Sequence, residues 1–143
     1  MPYYQLFYHI VWATKNREPA LKKDLRQILF VHIRENAPTR DIHLDSINGH
    51  LEHVHALISL KGDQTISKIV QLLKGEPSHW INRQGLSPHR VEWQNDYGAF
   101  SVSDSQINVV REYIRNQEEH HRKRSFGEEY GELLRQNRFT NAR

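Results

Sequence analysis

The 143-residue sequence contains no cysteine. This absence excludes disulfide bonds, thiolate zinc sites and cysteine nucleophiles. Long apolar runs are also missing, since no segment approaches the roughly 20 residues that a membrane-spanning helix requires. The N-terminus lacks a basic segment followed by an apolar one, so it shows no secretory signal. We therefore expect a cytoplasmic protein that does not interact with membranes.

Neither sign of charge dominates the chain. Lys and Arg number 20 against 17 Asp and Glu, which leaves a net charge of +3. This excludes a large acidic field and permits a nucleic-acid partner without requiring one. Ten histidines add potential positive charge and potential metal ligands. Hydrophobic residues make up only 37%, which is lean for a globular domain, so we expect some apolar surface to be shared with a partner subunit.

Hydrophobic periodicity predicts one α/β (α+β) domain with the element order βαββαβ and further helices at the C-terminus. The predicted strands are 3–13, 41–47, 50–60, 91–94 and 98–102. The predicted helices are 20–36, a helix from Thr65 that kinks at Gly75 and Pro77, a helix from Ser103 or Asp104 to about 121, and 126–136, before a frayed tail from 137.

This order predicts a ferredoxin-like antiparallel sheet with helices on one face and the opposite face left for solvent, a partner or a site. Asn48-Gly49 is typical of a two-residue hairpin turn between the second and third strands. We interpret 1–143 as a single domain, in which a core of 1–125 precedes a C-terminal helix and tail at 126–143.

Two histidines mark the third predicted strand. His53 and His55 are two residues apart, so their side chains point to the same face, while Val54 points to the other. Two imidazoles on a rigid strand can chelate one divalent ion. The alternative is an ordinary pair of histidines on a polar sheet face.

Tyr113 and Gln117 form a second candidate pair. Residues four apart are neighbours on one face of a helix. Tyrosine offers a phenolic nucleophile, and glutamine offers a carbonyl oxygen suited to Mg²⁺ or Mn²⁺. A tyrosine beside an apolar stripe is also common in cores and at their rims, so this pair alone leaves both readings open.

Basic and aromatic residues are scattered along the chain. Trp93, Tyr97 and Phe100 have the chemistry to stack on unpaired bases, and lysines and arginines have the chemistry to contact phosphates. The alternative is a solvated surface over a buried core. The basic candidates that we select for nucleic-acid binding are Lys15, Arg17, Lys74, Arg122, Lys123 and Arg124.

In combination, these motifs resemble the single-tyrosine HUH (His-hydrophobe-His) transposases of bacterial insertion sequences, which include REP-associated tyrosine transposases. The resemblance extends over nearly the whole chain. Its segments are 8–17 (YHIVWATKNR), 53–55 (HVH), 73–75 (LKG), 97–103 (YGAFSVS) and 113–121 (YIRNQEEHH). One difference is Glu52, where the family often has aspartate.

The resemblance implies a DNA strand transferase. By it, His53 and His55 bind Mg²⁺ or Mn²⁺ with Gln117 as third ligand, and Tyr113 attacks the scissile phosphate to form a 5′-phosphotyrosine. A covalent intermediate conserves the phosphodiester energy, so no nucleotide cofactor is needed, and the chain has no Walker A loop. The implied partners are single-stranded DNA folded as hairpins and a second subunit in a homodimer joined through a sheet edge.

Two other classes of function remain open from the residues. A His-rich zinc hydrolase would combine His53 and His55 with His121 or His120, although adjacent helical residues diverge by about 100°. A single-stranded nucleic-acid-binding module without catalysis would use exposed aromatics on the sheet. The roles of His50 and Glu52, and whether the tyrosine acts in its own subunit, also remain open.

Overall fold

The computed structural model describes residues 5–137, so the expected strand residues 3–4 and the expected tail beyond 137 lie outside it. Four strands form one antiparallel sheet in the order β2-β3-β1-β4. They are β1 (Leu6–Ala13), β2 (His43–Gly49), β3 (His53–Leu60) and β4 (Gly98–Val102). With α1 (Lys23–Asn36) after β1 and α2 (Ile66–Gln84) after β3, the predicted βαββαβ order is confirmed.

Helices α1 and α2 cover one face of this sheet. Ile10 and Trp12 of β1 and Val54, Ala56 and Ile58 of β3 are buried against them, in a cluster with apolar residues of both helices. The alternation of β3 is therefore the predicted one, since Val54 and its even-numbered neighbours leave the odd-numbered positions for the other face.

Three short helices at the C-terminal end cover that other face. They are α3 (Ile107–Arg115), α4 (Gln117–His120) and α5 (Phe126–Gln136). Ile107 and Ile114 pack on Leu57, and Phe126 packs on Val11. The C-terminal helices thus close the sheet face that the sequence left without a cover, and α3 carries the tyrosine as expected.

Helix α2 contains Pro77, where the sequence predicts a kink. The helix is uninterrupted from Ile66 to Gln84. Close to the proline, the carbonyl oxygen of Lys74 accepts hydrogen bonds from Ser78 Oγ at 3.0 Å and from Trp93 Nε1 at 2.9 Å. The helix ends at Gly85, whose φ of +65° suits a glycine cap.

The turn between β2 and β3 lies further along the chain than predicted. Asn48 pairs with His55, Gly49 pairs with Val54, and the His50 N–H donates to the His53 carbonyl at 3.0 Å, so the turn is centred on residues 51–52 and the Asn48-Gly49 prediction is wrong. Gly49 is needed for a different reason, since a Cβ there would lie 2.3 Å from the carbonyl oxygen of His53. Asn48 and Gly49 therefore extend β2 beside the paired histidines of β3.

The expected strand at 91–94 is also absent, and this segment makes a single bridge, from Trp93 to Thr14. The reason is that β1 ends at Ala13 and the chain then turns through Lys15–Arg17, which leaves no extended partner. Within residues 5–137, no helix has both the length and the apolar character needed to cross a bilayer.

Candidate active site

One carboxylate from α5 lies at the centre of a buried polar cluster. Glu129 is fully buried, and its Oε1 lies 3.3 Å from Nε2 of His53 and 3.2 Å from Nε2 of His55. Its Oε2 accepts hydrogen bonds from the hydroxyl of Tyr113 and, at 3.2 Å, from Nε2 of Gln117. The four site residues predicted from the sequence, His53, His55, Tyr113 and Gln117, therefore all contact Glu129, which the sequence prediction did not include.

The paired histidines enter the cluster from the start of β3, which is an interior strand of the sheet. His53 pairs with Ala13 and His55 with Val11 across β1, so both rings project from the same face. Both side chains are completely buried. One ligand atom from each, together with one oxygen of Glu129, lies within 4.8 Å of the others, which is a spacing that one cation can bridge.

Tyr113 and Gln117 do not share one continuous helix, and this part of the sequence prediction is wrong. Helix α3 ends at Arg115, and Asn116, with φ −96° and ψ 28°, separates it from α4, which begins at Gln117. Gln117 nevertheless turns into the cluster, because its Oε1 lies 3.0 Å from Nε2 of His53.

A side chain from β2 stabilises this break. Nδ2 of Asn48 donates to the carbonyls of Ile114 at 2.9 Å and of Arg115 at 3.0 Å. Carbonyls at the end of a helix have no partner within the helix and need another donor. Asn48 therefore fixes the end of the tyrosine helix to the strand that pairs with the histidine strand.

Burial and hydrogen bonding shift the pKa of Glu129, and that of His53, in opposite directions. Burial alone raises the pKa of Glu129, but hydrogen bonds from three histidines, His121 first, outweigh it and hold that pKa well below its usual range. Burial alone lowers the pKa of His53, but hydrogen bonds led by the one to Glu129 outweigh it and raise that pKa. The buried carboxylate thus favours the protonated form of the His53 ring beside it.

Two further groups of the cluster, His55 and Tyr113, are neutral. Burial lowers the pKa of His55 to about 4. Burial also raises the pKa of Tyr113 above its usual range, and the hydrogen bond to Glu129 adds to this, whereas Arg124 favours the phenolate and acts in the opposite direction. Tyr113 is therefore a protonated phenol, with one arginine close enough to help it ionise.

Each paired histidine has a hydrogen-bond partner behind its ring. Nδ1 of His53 lies 2.8 Å from Oε1 of Glu52, and Nδ1 of His55 lies 2.7 Å from Nε2 of His9 on β1. Burial first, and then the neighbouring His55, lower the pKa of His9 to about 3. Glu52, whose role the sequence left open, orients His53, and both Nε2 atoms point into the cluster.

The remaining histidines surround the cluster differently from one another. Nε2 of His121 lies 3.1 Å from Oε1 of Glu129, and its ring stacks on that of His50 with centroids 5.0 Å apart. The His120 ring packs on Tyr113 at 4.6 Å, and its Nε2 is buried with no hydrogen-bond partner among residues 5–137. The two adjacent histidines therefore diverge, as expected for helical neighbours.

The six basic candidates do not form one continuous surface. Lys15 and Lys74 line a cavity of about 790 Å³ between α2 and residues 90–97. Arg17 lies over the Phe126 ring, 5.0 Å from its centroid, and that ring stacks on His53 at 4.2 Å. Arg124 lies near Tyr113. The other two are exposed in the turn before α5, where Arg122 pairs with Glu119 at 3.3 Å and Lys123 follows it.

Glu129 had a sequence signal that could have revealed it. It lies three residues after Phe126 and four before Leu133, both of which pack on the sheet. A carboxylate within the apolar stripe of a helix must find a buried partner. His9 offered a weaker signal, as a polar residue at an inward position of an interior strand.

The donors in this cluster fit a divalent metal ion. Two imidazole nitrogens and the oxygens of a carboxylate and an amide converge in a buried cluster, and carboxylate and amide oxygens suit Mg²⁺ and Mn²⁺. The buried His53, His55 and Glu129 group is therefore a candidate metal centre.

Comparison with known proteins relates the chain to transposases. Residues 2–117 match the family model described as transposase IS200-like. The ISDra2 transposase TnpA of Deinococcus radiodurans is 25% identical over 122 residues, covering 80% of this chain and 85% of that protein. A crystallised D. radiodurans R1 protein assigned as a transposase is 26% identical with a TM-score of 0.64, over 81% of this chain and 93% of that one.

A REP-associated tyrosine transposase bound to a REP hairpin shares the fold, with a TM-score of 0.64 at 18% identity, over 85% of this chain and 72% of that one. The fold and the site thus define a DNA-processing protein of the transposase class. The chain belongs to the IS200-like transposase family. The matched stretch ends at Gln117, so α5 and its Glu129 lie outside it.

Proposed function

We propose that this transposase cleaves and rejoins single-stranded DNA through a covalent bond between Tyr113 and a 5′-phosphate. The observation that carries the proposal is the meeting of the Tyr113 hydroxyl with the His53 and His55 pair at Glu129 within one chain. A nucleophile and a set of metal ligands held close together are parts that phosphoryl transfer to a side chain requires.

In this proposal His53, His55 and Gln117 hold Mg²⁺ or Mn²⁺, and Glu129 adds a carboxylate oxygen. The bound ion would polarise the scissile phosphate and offset its negative charge. Glu52 and His9 orient the two imidazoles from behind. We further propose that residues 1–143 act as one domain, because α5, which lies outside the expected core of 1–125, contributes a residue to the site.

Tyr113 performs the chemical step. Its Oη forms a bond to phosphorus as the bond from phosphorus to O3′ breaks, and the proton lost by the phenol is balanced by the one that the released 3′ oxygen gains. Because burial and Glu129 raise the pKa of Tyr113, the phenol must leave its hydrogen bond to Glu129 before it attacks. Arg124 then stabilises the phenolate.

The proposed partner is a DNA hairpin with single-stranded flanks. Arg17 and Arg124 lie beside the site, where the scissile phosphate would enter, and Lys15 and Lys74 line the cavity next to α2. The structural neighbour bound to a REP hairpin supports this class of partner. Arg122 and Lys123 are exposed next to Arg124 in the turn before α5 and offer two further cations to DNA phosphates.

A cleavage assay tests this function. Labelled single strands from both sides of the gene, including any palindromes, are incubated with the protein and Mn²⁺ or Mg²⁺ and run on a denaturing gel. We expect a covalent protein–DNA adduct and a shorter strand with a 3′ hydroxyl, both absent with EDTA. Efficient cutting of duplex DNA without an adduct would contradict the proposal.

We also propose that the chain forms a homodimer. Strand β4 pairs only with β1 in the part of the chain that the structure describes, so its outer edge can accept a strand from a second copy. Sedimentation at micromolar concentration is expected to give about twice the 17.0 kDa mass of the chain. Detection of the 17.0 kDa species alone would overturn the dimer and leave the single-chain site intact.

A further inference from the structure

His9 is a buried polar residue whose part in the proposed chemistry is so far limited to orienting the His55 ring. It lies on β1, beside the histidine strand, and is 4% exposed. Its Nε2 is 2.7 Å from Nδ1 of His55, and the two rings stack with centroids 5.0 Å apart. It also contacts the nucleophile, since its ring centroid lies 6.0 Å from that of Tyr113.

The hydrogen bonds around His55 determine which nitrogen carries its proton. Ionised Glu129 can only accept, so Nε2 of His55 must donate to it across 3.2 Å. Nδ1 of the neutral ring is then an acceptor, and the hydrogen between the two histidines belongs to Nε2 of His9. In this arrangement His9 is the donor.

A metal ion at Nε2 of His55 requires the opposite arrangement. A ligating nitrogen must present its lone pair, so the proton of His55 has to be on Nδ1. Nδ1 then donates, and Nε2 of His9 must accept. The proton on Nε2 of His9 passes across the hydrogen bond to Nδ1 of His55. His55 releases its proton at Nε2 and His9 takes up one at Nδ1, so both rings stay neutral.

We infer that His9 is a positioning residue whose imidazole reverses from donor to acceptor when His55 exchanges Glu129 for a metal ion. A carboxylate in its place could only accept, and an apolar ring could do neither. His53 is different, because its partner is the acceptor Glu52. The inference rests on the metal binding of the proposed function.

Nitrogen-15 NMR of the imidazoles in the intact protein tests the reversal. In the metal-free protein we expect the proton of His9 on Nε2 and that of His55 on Nε2. Addition of Mg²⁺ is expected to move both to Nδ1. If His55 changes on Mg²⁺ binding and His9 does not, the inference is overturned.

Variants provide a second test, with Mn²⁺ affinity measured by the loss of the free-ion EPR signal. His9→Phe keeps a ring but loses both nitrogens, and should weaken Mn²⁺ binding by roughly 10- to 100-fold. His9→Gln can donate or accept at a similar reach and should recover most of that loss. Ile10→Val, on the opposite face of β1, should lower thermal stability only and leave the affinity unchanged.

Equal affinity in wild type, His9→Phe and His9→Gln would refute the role of His9. Failure of the wild type itself to bind Mn²⁺ would instead refute the proposed metal centre, so the two failures are distinguishable. If His9→Phe does not fold, the NMR experiment on the wild type and the affinity of His9→Gln still decide the question.

Discussion

Replacing Tyr113 with phenylalanine is expected to abolish the covalent protein–DNA adduct. The change removes one oxygen, which is the atom that would bond to phosphorus, so adduct formation should fall by roughly a thousandfold or more. The ring still fills its place between His120 and His55. Loss of the hydrogen bond to the ionised Glu129 should reduce the free energy of unfolding by about 2 kcal/mol.

Tyr130 offers a matched control for this experiment. It lies on α5, packs on Phe126 with ring centroids 5.7 Å apart, and has no contact with Glu129 oxygens among the hydrogen bonds of the described residues. Tyr130→Phe should keep adduct formation near the wild-type level. An adduct formed by Tyr113→Phe, and lost in Tyr130→Phe, would show that another tyrosine is the nucleophile.

The second large effect is expected from removing both paired imidazoles. His53→Ala combined with His55→Ala deletes the two nitrogen ligands of the proposed centre. Losing one residue that hydrogen-bonds to a metal ligand typically weakens metal binding by about 10- to 100-fold, so losing both ligands should weaken Mn²⁺ binding by more than about 100-fold. Metal-dependent cleavage should be lost with it. Isothermal titration calorimetry with Mn²⁺ measures the affinity directly.

Two exposed histidines supply the control for that pair. His79 on α2 and His89 in the following loop are both exposed, and replacing both by alanine removes the same number of imidazoles far from β3. This variant should bind Mn²⁺ as the wild type does. Unchanged Mn²⁺ affinity in the variant lacking His53 and His55, in a folded protein, would disprove the centre.

Much of the fold could be predicted because it depends on local patterns. The alternation of β3 assigns Val54 to the core and His53 to the other face, and the helical periodicity of 20–36 marks the buried side of α1. One error arose where a distant residue supplied hydrogen bonds, because Asn48 holds the end of α3 where a continuous helix was expected.

By itself, the sequence determined the element order, the shared face of His53 and His55 and the family resemblance, because each follows from neighbouring residues or from a motif. Only the tertiary structure decided which residues complete the site. Glu129 lies 74 positions from His55, and His9 lies 46 positions from it. No periodicity relates residues so far apart, and only the packing of α5 and the pairing of β1 with β3 bring these side chains to the same buried point.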